Sequence, residues 1–97
     1  MSTGKHTLID NEEGLLEIEM IEGNPFLHLQ LYKWSASYYR KYKELLAGVK
    51  LHLRSKGLSH IYVAIPSDDP KLLRFEIMFG FKLYKRAGDL YLLRQET

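Results

Sequence analysis

A chain of 97 residues that is 45% hydrophobic, with 14 Lys and Arg against 12 Asp and Glu, has apolar material for one core and not for two domains. The absence of Cys excludes a disulfide framework, a thiolate nucleophile and a Cys-bearing zinc site, and the four His (His6, His28, His52, His60) show no metal spacing. No run approaches the roughly 18 apolar residues of a membrane span, and the opening residues lack a signal-peptide pattern, so one cytoplasmic domain over 1–97 with no membrane contact and no metal is expected.

Residues 1–14 are poorly patterned apart from Thr7-Leu8-Ile9, which suit an edge strand ended by Asp10-Asn11 and Gly14. Leu16, Ile18 and Met20 alternate with Glu17 and Glu19, the period of a half-buried strand over 15–22 with a carboxylate face. Gly23-Asn24-Pro25 interrupts it. Alternation resumes over 26–32, with Leu27, Leu29 and Leu31 on one side and His28 and Gln30 on the other, which makes a hairpin. Centred on Gly23-Asn24, that hairpin sets Glu19 opposite His28 and Glu17 opposite Gln30. Trp34 follows and is expected in the core.

Ser35 or Ser37 suits the cap of a long helix whose apolar positions Tyr38, Tyr42, Leu45, Leu46, Val49 and Leu53 recur every three or four residues until Lys56-Gly57. His60 to Ile65 is a β-rich apolar run closed by Pro66, which predicts a central strand buried on both faces. Asp69-Pro70 opens a short helix that runs to Gly80. Residues 81–85 and 90–94 then flank the turn Arg86-Ala87-Gly88-Asp89 as a C-terminal hairpin. The order predicts an α/β fold, a mixed, mainly antiparallel sheet with one long and one short helix. Crossovers that run the same way along a sheet cover the same face, so the opposite face is expected to be bare and to favour a homo-oligomer.

Gly57 to Pro66, the capped helix from Asp69 to Phe79, and Gly80-Phe81 with its hairpin resemble the C-terminal half of the GCN5-related N-acetyltransferases (GNAT). The pattern of elements extends over about residues 25–95. The resemblance implies a truncated GNAT-like, acyl-CoA N-acyltransferase architecture with acetyl-CoA as cofactor, bound at the start of the long helix by Ser37, Tyr38, Arg40 and Lys41. The family cradles the pyrophosphate on a glycine loop there, because small residues let phosphate reach the helix end. Counted from Gly57, the small positions fall at Arg40 and Tyr42, so the loop is read as degraded. The family's Tyr four residues before the Gly of "GF" is Glu76. Arg74-Phe75 ahead of that "GF" is also similar to GNAT-like proteins of tailed bacteriophages.

Glu17, Glu19 and His28 suit either proton transfer from an amine or a solvated sheet face with a cross-strand ion pair. Within the family frame, Glu19 and His28 are the candidate bases and Tyr84, with Tyr91 beside it, the replacement phenol. Between Asp10 and Glu22 every charge is acidic, and from Lys33 to Lys56 all but Glu44 are basic. Arg40, Lys41, Lys43 and Lys50 are therefore expected either to hold an anionic partner or to form the wet side of an amphipathic helix. Two functions remain open: a weak acetyl-CoA-dependent N-acetyltransferase acting on an amine, and a non-catalytic binding or structural module that contacts protein or nucleic acid.

Overall fold

The computed structural model describes residues 5–33 and 35–97, so the expectation for Trp34 lies outside the described residues. The chain runs β1 (His6–Asp10), β2 (Gly14–Ile21), β3 (Asn24–Leu31), α1 (Ala36–Ser55), β4 (His60–Pro66), α2 (Pro70–Met78), β5 (Lys82–Ala87) and β6 (Leu90–Glu96). The strands form one mixed sheet in the order β1-β2-β3-β4-β6-β5, antiparallel throughout except for β3 on β4. The expected strand at 7–9 is present as β1, an edge strand with a register shift after Thr7.

The first hairpin differs from expectation in register. Its turn is Glu22-Gly23, both with positive φ, and the closing pair is Ile21 with Asn24. Glu17 is opposite His28, Glu19 opposite Phe26 and Leu15 opposite Gln30, a shift of two residues that preserves which side chains share a face. Pro25 supplies the reason. A turn at Gly23-Asn24 would place proline in the hydrogen-bonded closing pair, where it has no N–H to donate; the observed turn moves it one pair further, opposite Met20.

Both helices cover the same face. Tyr42 of α1 is fully buried, stacks on Phe75 of α2 at 5.4 Å between ring centroids, meets Phe79 edge-on at 4.8 Å, and donates its hydroxyl to Glu76 Oε1 at 2.7 Å. Beneath the helices lie Leu16, Leu27, Ile61, Val63, Ile65 and Leu93, alternate residues of four strands, all buried. The expectation that β4 is buried on both faces fails for this reason: Tyr62 and Ala64 point away from the helices and are only partly covered. Gly80 follows α2 in the left-handed region (φ 99°), where its N–H reaches Ile77 O and the Phe81 N–H reaches Glu76 O. This is a Schellman stop, and it buries Phe81.

Two consequences of this packing are measurable. A Cβ on Gly14 would stand 2.6 Å from Gln30 O and 2.9 Å from Tyr38 Cε2, so Gly14→Ala should destabilise the fold. The expected loss is about 1–3 kcal/mol in urea unfolding. Burial pushes the Glu76 carboxyl from its ordinary 4.5 up to about 7, with the Tyr42 hydrogen bond opposing the rise. The folded state therefore holds that proton more tightly than the unfolded state. Stability from this group is fully present below its ordinary value and is lost as the pH rises toward about 7, by on the order of 3 kcal/mol. Glu76→Gln, which keeps an acceptor for Tyr42, should flatten the decline when unfolding is measured between about pH 5 and pH 8. A flat wild-type profile would contradict the burial argument.

Candidate functional site

The parallel pairing of β3 with β4 is confined to Phe26 with Tyr62 and Leu27 with Val63. Beyond these pairs the strands run on without a ladder, β3 to Leu31 and β4 to Pro66. The opening between them is a cavity of about 610 Å³ bordered by His28, Leu29 and Gln30 on one side and by Ala64, Pro66 and Leu72 on the other, with Glu17 and Tyr32 at its mouth. A second cavity of about 580 Å³ lies between the start of α1 and α2, and Leu31 and Lys71 border both. The two cavities adjoin at these residues, and together they are the groove of this molecule, from the sheet to the helix ends.

The structure brings Glu19 and His28 together by a diagonal contact and not by the direct opposition expected from sequence. His28 Nε2 lies 2.8 Å from Glu19 Oε1, within reach of a diagonal neighbour across two antiparallel strands. Glu17, directly opposite His28, pairs with Lys5 Nζ at 3.4 Å. This cluster sits at the sheet end of the groove. Tyr84 does not join it: the ring lies over the far strands, 6.1 Å from Tyr62 and under the Arg94 guanidinium at 4.1 Å, in a different recess with His60 and Lys82. Tyr91 packs against the core.

At the other end, Ser35 is the cap of α1. Its Oγ accepts from the Tyr38 N–H at 3.1 Å and donates to Glu13 Oε2 at 2.6 Å. Glu13 O also accepts from the N–H groups of Tyr32 and Lys33, which ties the end of β3 to the helix start. The Ser35 hydroxyl and Lys41, at 3.5 Å, together hold the Glu13 carboxyl below its ordinary range. Ser37 is exposed in the first turn. Because α1 begins at Ala36, Arg40 and Tyr42 stand inside the helix and not at its end. Tyr42 is in the core, so the exclusion argued from its volume does not operate at the first turn, where Ser35, Ala36 and Ser37 are all small.

The walls of the helix-end cavity combine cations with apolar surface. Lys33, Arg40, Lys71 and Arg74 border it, with Tyr39, Phe75 and Met78. Tyr38 also borders it; its hydroxyl is buried with no hydrogen-bond partner among the described residues, and burial pushes it up to about 12. Lys41 faces away, toward Asp10 and Glu44 on the β1 flank, while Lys43 and Lys50 lie on the α2 flank, where Lys50 Nζ donates to Gln95 Oε1 at 2.7 Å. The basic residues of α1 are thus divided between flanks. Lys71 and Arg74 were not singled out as binding residues by sequence. Their spacing of three puts them on one side of α2, but only the packing of α2 on α1 brings them to Arg40. Glu76, in the position of the family's phenol, is turned into the core and is 0% exposed.

Among the described residues, no group of three or more His, Asp or Glu could hold a metal ion, and no helix is long and apolar enough to cross a membrane. No family model matches the sequence, and no curated protein matches it significantly. Solved structures do match. The fold is similar to a GNAT-family acetyltransferase from Listeria monocytogenes (TM-score 0.65, 12% identity, 88% of this chain and 58% of that one). It is also similar to the PaiA N-acetyltransferase of Thermoplasma acidophilum in complex with coenzyme A (0.66, 21%, 87% and 53%). A spermidine N-acetyltransferase chimera from Vibrio cholerae matches as well (0.65, 14%, 95% and 65%). The chain therefore spans less than two thirds of the length of these structures, and across that span, with its six-stranded mixed sheet and two same-face helices, it has the fold of the GNAT acetyltransferases.

Proposed function

We propose that the groove binds acetyl-CoA and that the chain is a slow N-acetyltransferase acting on an amine. The observation that carries this reading is that the opening between β3 and β4 adjoins the cation-lined cavity at the start of α1, with Leu31 and Lys71 in the walls of both. One ligand that is narrow and uncharged at one end and polyanionic at the other suits that shape.

The residues present fit the cofactor. The first-turn N–H groups of α1 precede the intrahelical ladder and meet no bulky side chain at Ser35, Ala36 or Ser37. Lys33, Arg40 and Arg74, which border the cavity, would supply charge-assisted hydrogen bonds to the phosphate oxygens. The Tyr38 hydroxyl, buried without a partner in the wall, is a donor placed for a polar atom of the ligand. When bound, acetyl-CoA supplies an acyl group activated as a thioester. An amine that enters at Glu17 must lose a proton before its lone pair can attack. With Nε2–H given to Glu19, the neutral His28 ring presents Nδ1 as the acceptor for that proton.

Slow turnover follows from Glu76. Its carboxyl is enclosed and bonded to Tyr42, so it is not available to protonate a departing thiolate. A thiol of ordinary pKa about 8.5 can leave as the anion, which retains the reaction at reduced rate. The burial of Glu76 also favours a second reading, in which the same cations hold an anionic partner without chemistry.

Calorimetric titration with acetyl-CoA should show micromolar binding, and the Arg40→Glu, Arg74→Glu pair should weaken it at least about tenfold, given about 1.5–3 kcal/mol per charged hydrogen bond. His28→Ala should leave binding intact and remove turnover in a transfer assay over polyamine, amino-acid and protein amines. Binding without turnover in the wild type would establish the second reading. Absence of binding would remove both the cofactor and the enzyme.

A further inference from the structure

The sheet face opposite the helices carries a pattern that follows the strand register. Glu19 is paired with Phe26, Phe26 with Tyr62, and Tyr62 with Arg94, so these four side chains form one row across β2, β3, β4 and β6. The row reads acid, aromatic, aromatic, base. Phe26 stacks on Tyr62 at 5.2 Å between centroids, and Lys82, paired with Arg94, adds a second base at the far end. The next row repeats the sense, with Glu17 on β2 and Lys85, opposite Leu92, on β5. Among the described residues, no helix covers this face.

We infer that a second copy of this chain covers the face, in a two-fold dimer whose axis runs along the strands between β3 and β4. Such an axis keeps each residue at its level along the strands and exchanges left for right, so Glu19 of one copy meets Arg94 of the other, twice, and Phe26 meets Tyr62 twice between them. Over the four central strands the polarity of the row makes it its own complement. A copy turned the other way, or displaced by one strand, loses this matching and sets charge against ring or like against like. Two sheets pack face to face at about 10 Å with strands nearly aligned, which suits aromatic residues at the centre and a charged rim. His28 and Ala64 of the adjoining row border the cavity between β3 and β4, so the interface lies beside the groove.

The test is a charge exchange read by light scattering at high micromolar concentration. The wild type should have twice the chain mass. Glu19→Arg sets Arg against Arg94, and Arg94→Glu sets Glu against Glu19; each variant alone should be monomeric. Mixed in equal amounts they should recover the dimer mass, because both contacts of the mixed pair then join Arg to Glu. A monomeric wild type overturns the inference, as does a dimer that either single substitution leaves intact. A mixture that stays monomeric overturns it too, since variants that fail only through loss of folding do not rescue one another. The outcome is independent of acetyl-CoA binding.

Discussion

The contact between α1 and α2 through Tyr42 governs the rest of this structure. Its ring fills the space between the helices, stacked on Phe75 and edge-on to Phe79, and its hydroxyl would be a costly orphan there without Glu76. Holding the helices side by side has three effects. It encloses Glu76, it brings Arg74 and Lys71 of α2 to the cavity that Arg40 borders, and it commits both helices to one side of the sheet. The local reward is aromatic packing. The global effect is an α/β layer in which α1 and α2 leave the opposite face of the sheet uncovered.

The groove has a separate cause. Parallel strands joined by a helix need not stay paired for their full length, and here β3 and β4 meet over only two residue pairs before separating. The separation leaves a cavity between strands in the middle of the sheet. The start of α1 lies at the same end because Glu13 fastens both the end of β3, through its backbone, and the cap Ser35, through its carboxylate. That end of the helix carries partial positive charge, so the geometry that opens the strands also directs donors at the opening.

Charge is distributed by strand as well as by helix. The acidic run of β2 and the basic residues of β5 and β6 lie at opposite ends of one face, with uncharged and aromatic residues between. On α1 the bases are split: Lys41 pairs with Glu13 beside the cap, Lys50 is bonded to Gln95, and Arg40 borders the groove. A run of like charge along a helix is therefore not one surface, because successive residues point about 100° apart.

Much of the fold was legible in the residues. Alternation specified β2 and β3, three- and four-residue spacing specified α1, and the Asp69-Pro70 start and the Gly80-Phe81 stop delimited α2, because these patterns reflect interactions within a few residues: pleat, helix turn, cap and Schellman stop. The family resemblance at Gly80-Phe81 has a physical core in that stop. The pairing of Glu19 with His28 was legible as well, though through a register two residues off, since a two-residue slip keeps the face. What the tertiary structure alone decided depends on elements distant in sequence. The side of the sheet that α1 and α2 share fixed which face of β4 is buried and that Glu76 is enclosed, and the strand order put Tyr84 of β5 apart from the groove. Whether β3 and β4 part, and which cations of α1 and α2 meet, follow from how helices of different length settle on a twisted sheet. Side-chain volumes from the whole chain contribute to that balance, and no local pattern encodes it.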